Sequence, residues 1–162
     1  MFEQLEYSIK SGLRGRHIHI DPLKALEGID ADKACKVPSV GIHSVWQILH
    51  HIVYWQDLML SAIRGEEVQW PKNNDDSWLK NGYRKVKDSW DELHSRFKSG
   101  IEEAEELCKS IESLDDLPSW PKVKPFAALM VFAQHNAYHL GEIVATRQAL
   151  GFWPPPDYKP MF

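Results

Sequence analysis

Residues 133–144, AQHNAYHLGEIV, place His135 and His139 four apart in a stretch that otherwise reads as a buried helix. On a helix that spacing sets two side chains one turn apart on the same face, where both imidazoles can reach a single metal ion. A further donor is available in HSVWQILHHIVYWQ, residues 43–56, which carries the adjacent pair His50 and His51. The HxxxH pair alone is a weak signal, because eight histidines in 162 residues produce such spacings by chance.

Facing separates the two neighbours. His51 falls with Ile48, Ile52, Trp55 and Met59 on the apolar stripe of its helix, whereas His50 turns to the polar side with Gln47, Tyr54, Asp57 and Ser61. His135 and His139 line up with Val131, Phe132, Glu142 and Thr146. The three imidazoles of His51, His135 and His139 are therefore expected to point into an interior built by two helices. An unpaired polar ring in such a place costs roughly 1–3 kcal/mol, so three together need compensation. A divalent metal supplies it directly, and three separately hydrogen-bonded histidines would satisfy the same periodicity. Glu142, three residues past His139, can steady a ligand or serve as a general base. Simple pairing with Arg147 or a lysine accounts for it equally well.

The elements that must position these residues are helical. Phe2, Leu5, Ile9 and Leu13 recur at helical spacing before SGLRG breaks the run. A short helix is expected after Asp21–Pro22, since proline suits a first turn, and DADKACK adds another turn before the extended VPSVG. Residues 43–65 form an amphipathic helix with Gly65 as its stop and Ser44 close to the cap position. After the polar loop GEEVQWPKNNDD, where Asp75 or Asp76 could cap, a third long helix is expected from Trp78 to Ile111, its first turns weakened by Asn81 and Gly82. The loop SLDDLPSWPKVKP precedes a last helix from Pro125 to Leu150, and FWPPPDYKP closes the chain as an extended tail. Four long or medium helices with no strand alternation argue for an all-α helical bundle, one domain over residues 1–162.

The combination of HSVWQILHHIVYWQ with QHNAYHLGEIV resembles the DinB family of DinB/YfiT-like bundles, whose members join an HSxW…H segment to an HxxYHxGQ-type final helix. The resemblance extends to the order of elements along nearly the whole chain. It implies a four-helix bundle with up-down-down-up topology. It also implies a mononuclear divalent metal held by one histidine of the second long helix and two of the last, here His51, His135 and His139. Glu142 departs from the family pattern, which more often shows glutamine at that position.

Three neutral nitrogen ligands leave coordination positions open to water or substrate, the layout of a catalytic rather than a closed structural metal. Imidazoles suit zinc, nickel, iron or copper. The expected cofactor is one divalent ion, zinc or nickel first and iron or manganese after them, joined by a low-molecular-weight thiol if the reaction is a transfer. The reading is thus a metal-dependent hydrolase or a thiol-dependent S-transferase acting on a small electrophile. A non-catalytic metal-binding or stress-response protein is the alternative. Neither Cys35 nor Cys108 sits in a recognisable nucleophile context, which favours a nucleophile delivered at the metal.

Composition narrows the partners. The net charge of −4 and pI near 6.0 carry no electrostatic footprint for nucleic acid. No apolar run is long enough to span a bilayer, and the opening MFEQLEYSIK lacks the pattern of a secretory signal. Two distant cysteines without a CxxC motif fit a reducing cytoplasm. A homodimer is expected by analogy with relatives. The acidic run IEEAEEL, residues 101–107, reads as a solvated helix face, and His17 and His19 as loop residues unconnected to the interior trio.

Overall fold

A computed structural model describes residues 2–79 and 88–159. Its helices are α1 (Phe2–Leu13), α2 (Pro22–Leu26), α3 (Ala31–Ala34), α4 (Val45–Ile63), α5 (Asp88–Ser110) and α6 (Pro125–Ala149), with a 3₁₀ turn at Asn74–Ser77. Among the described residues there is no strand, only an isolated bridge between Leu117 and Trp120. The expectation of an all-α bundle holds.

Local chemistry sets the ends of the helices that matter for the site. Ser44 and Gln47 form a reciprocal capping box at the start of α4, so two otherwise orphaned backbone N–H groups are satisfied. At the other end Gly65 takes a left-handed φ of 81°, and its N–H and that of Glu66 donate back to Ala62 and Ser61. Pro125 opens α6 at a position where no N–H is needed. Gly151 closes it with the same pattern of backward hydrogen bonds, Gly151 to Gln148 and Phe152 to Arg147. Asp21 caps α2 by accepting from Leu23 and Lys24, as the Asp-Pro pair predicts.

The four long helices pack around one apolar cluster that includes Ile9, Ile48, Leu49, Ile52, Phe97, Ile101, Leu129, Phe132 and Ile143. Each of α4 and α1 lies between α5 and α6. Contacts advance together along α4 and α5, from the Asp57–Arg96 ion pair to the Arg64–Glu103 pair, so these helices run in the same direction. Along α4 and α6 they run opposite ways: the Thr146 hydroxyl meets the His43 carbonyl at one end, and Met59 and Val131 share a cleft wall at the other. Arg14 reaches Glu105 through two hydrogen bonds of 2.8 and 2.6 Å and ties α1 to α5. Glu103 and Glu105 of the acidic run are thus paired with arginines, while Glu102 and Glu106 face solvent.

Arg147, 2 % exposed, donates to the carbonyls of Ala25, Glu27 and Phe152. A buried guanidinium is tolerable there because it answers carbonyls that the ends of α2 and α6 leave free. Arg147 is consequently committed away from Glu142.

The third long helix differs from expectation. Trp78 lies outside it, in extended backbone after the 3₁₀ turn, and Asp75 and Asp76 belong to that turn instead of capping a helix. The described helix begins at Asp88; the expected segment 80–87 lies outside the described residues. The physical reason is tertiary: the Trp78 ring is taken up between His43 and His51, at centroid distances of 3.8 and 4.0 Å.

Candidate metal centre

His51 comes from the middle of α4, His135 and His139 from successive turns of α6. One ligand atom from each lies within 4.8 Å of the others, close enough to hold one metal ion. Ring centroids are 5.3 Å apart for His51 and His135, 4.4 Å for His51 and His139, and 4.6 Å for the α6 pair. His51 and His139 are buried, at 2 % and 8 % exposure, and His135 is half-buried.

Hydrogen bonds decide which nitrogens are available. Ser77 is fully buried, and its hydroxyl proton is spent on the Asn74 carbonyl. Its oxygen can then only accept, so His51 must present Nδ1–H to it across 2.7 Å. That leaves the lone pair of His51 on Nε2. His139 Nδ1–H likewise donates to Glu142 Oε2 at 2.7 Å, which frees its Nε2. A carboxylate or hydroxyl behind the ring is the usual means of orienting a metal-binding imidazole. His135 Nδ1 is enclosed without a hydrogen-bond partner, so the protein by itself leaves part of the cluster unsatisfied. The donor set and its supports fit a divalent ion.

Electrostatics agree with neutral rings. Burial, followed by the nearness of His139 and His135, pushes the His51 pKa down to about 3. Burial and then His139 lower His135 to about 4. Both stay uncharged at neutral pH, the state a metal ligand requires.

His50 lies off the cluster. Its Nδ1 meets the Ser77 carbonyl at 3.1 Å, and its ring lines a groove between α4 and α5 with Tyr54, Asp57 and Ser61. One serine therefore receives both neighbours, His50 on its carbonyl and His51 on its hydroxyl. Ser77 was not visible in the sequence, where nothing in NNDDSW distinguishes it from a loop serine. Gln134 is exposed and off the ligand face. His19 is held in its own loop, with Nδ1 on the Ile20 carbonyl.

The three histidines open on a cleft of about 590 Å³, walled by Trp55, Trp70, Trp78 and Trp120. The Trp120 ring meets Trp70 at 4.9 Å. Residues 21–143 match the sequence profile of the DinB superfamily. The chain belongs to the DinB superfamily. The matched region starts at the Asp21 cap and ends one residue past Glu142, so it contains all three histidines and excludes α1. No curated protein and no solved structure matches the chain. For a DinB protein with such a cluster, metal binding is chemically accessible, and what remains is the use to which it is put.

Proposed function

We propose that this DinB protein is a metal-dependent enzyme, a hydrolase or a thiol-dependent S-transferase, acting on a small electrophile at a divalent ion held by His51, His135 and His139. Zinc or nickel suits three imidazoles best, with iron and manganese as further options. The observation that carries the reading is the three-histidine cluster opening on a cleft large enough for a small molecule. The chemistry such an ion supplies is Lewis-acid activation of a water or thiol near neutral pH. The chain's own residues bind and orient: Ser77 and Glu142 hold two of the rings, and the indoles keep bulk water from one side of the cleft.

The cysteines do not compete for the role of nucleophile. Cys108 is buried between α5 and α1, its Sγ 4.0 Å from the Glu6 carbonyl, and burial raises its pKa. A raised pKa keeps the thiol protonated and unreactive. No disulfide joins it to Cys35. No helix among the described residues is long and apolar enough to cross a membrane. A cytoplasmic setting and a homodimer, the latter by analogy, complete the proposal.

The test is a turnover screen with electrophilic esters and with thiol–electrophile pairs. Activity should vanish on chelation, return with zinc or nickel, be absent in His51→Ala and persist in the Cys35→Ser/Cys108→Ser variant. Activity indifferent to chelators, or lost with Cys108 while the metal stays bound, would overturn the mechanism.

A further inference from the structure

Four indoles meet beside the histidine cluster, and each arrives from a different stretch of chain. Trp55 comes from α4, Trp70 from the loop after it, Trp78 from the end of the 3₁₀ turn and Trp120 from the loop before α6. All four are only partly buried, which leaves ring surface facing the cleft. Trp55 and Trp70 are nearly parallel, with centroids 6.5 Å apart and planes at 23°, and Trp70 continues to Trp120. Trp55 in turn meets His51 and His135 edge-to-face at 6.4 and 6.5 Å. The aromatic wall is therefore continuous up to the imidazoles. Trp70 is anchored as well, because its indole N–H donates to the Ser119 carbonyl and pins two loops together.

So much aromatic surface in one concavity is the mark of a ligand site. Its charge is equally specific. Among the described residues the lining carries no lysine or arginine, and its one carboxylate, Glu142, is engaged with His139. An anion would meet that carboxylate without a protein counter-charge, whereas a flat neutral ring meets indole faces suited to stacking.

We propose that the cleft takes an uncharged, planar, unsaturated ligand of one or two rings, seated against the indoles with its reactive group toward the histidines. The orientation rests on the metal-enzyme reading above; the binding preference does not, since the wall is made by the protein alone. Isothermal titration calorimetry on chelator-treated protein tests it with 2-naphthol, 2-naphthoate and the saturated decahydro-2-naphthol. The metal-free form is decisive because a carboxylate could otherwise ligate the ion. Naphthol should bind about tenfold more tightly than either comparison compound, and Trp120→Leu and Trp55→Leu should each weaken it about five- to tenfold. Two variants guard against one failing to fold. Equal binding of the three probes, no naphthol binding, or binding indifferent to both substitutions would overturn the assignment. Naphthol binding in a protein that takes up no zinc would overturn the metal reading alone.

Discussion

Ser77 has a single hydroxyl proton and gives it to Asn74, so its oxygen is left as an acceptor for His51 Nδ1–H. This two-bond relay holds the His51 ring with Nε2 toward the other two histidines. Ser77→Ala removes the acceptor and leaves the ring free to turn. Metal affinity should fall roughly 10–100-fold, the usual cost of losing a group that orients a ligand. His51→Ala should abolish binding, and His50→Ala should leave it nearly intact, because one step along a helix turns a side chain by about 100°. Competition with a chromophoric zinc chelator measures all three. Equal losses in the His50 and His51 variants would show that the metal lies elsewhere.

The α4–α5 contact depends on a glycine for space. A Cβ added at Gly100 would lie 1.8 Å from Gln56 Nε2, and Gln56 is fully buried while donating to the Arg96 carbonyl at 3.1 Å. Alanine gains about 1 kcal/mol of helix propensity at an interior position. Here the overpacking wins, since Gln56 has no solvent to swing into. Gly100→Ala should cost roughly 1–3 kcal/mol in denaturant unfolding. Combined with Gln56→Ala, it should cost less than the sum of the two single changes, because the clash exists only when both side chains are present. A stabilising Gly100→Ala would mean that the helices separate freely. Since His51 rides on α4, that looseness would reach the histidine cluster.

At the scale of the molecule, the buried imidazoles make folding pH-dependent when no metal is bound. The unfolded chain takes up protons on His51 and His135 near their ordinary pKa of 6.5, whereas the folded chain holds them at about 3 and about 4. The unfolded state thus binds more protons across that window, and stability must fall as pH drops from 6.5 toward 3. Above 6.5 both states carry neutral rings and this contribution is fully present. Thermal unfolding of the metal-free protein should show the decline. A His51→Leu/His135→Leu variant should flatten it, although carboxylate pairs such as Arg14–Glu105 leave an acid-side slope of their own. An unchanged profile in that variant would mean the histidines do not govern it.

The sequence by itself determined that the chain is helical, where α4 and α6 begin and end to within two residues, and which of the adjacent histidines faces inward. Ser44 and Gln47, the Asp21–Pro22 pair, Gly65 and Gly151 act through neighbours within a few residues, and apolar periodicity is a property of one helix at a time. That is why the sequence alone separates His51 from His50. Only the tertiary structure decided what stands behind and around the cluster. Ser77 reaches His51 across 26 residues of chain, and Trp78 leaves the helix expected of it to stack on the same ring. Glu142 had two equally good readings until Arg147 was found committed to backbone carbonyls and the carboxylate to His139. The tryptophan wall was likewise illegible, since Trp55, Trp70, Trp78 and Trp120 share no local period. Each lies on its own segment, and their meeting depends on how loops close over packed helices, a free energy of long-range contacts that spacing along the chain does not encode.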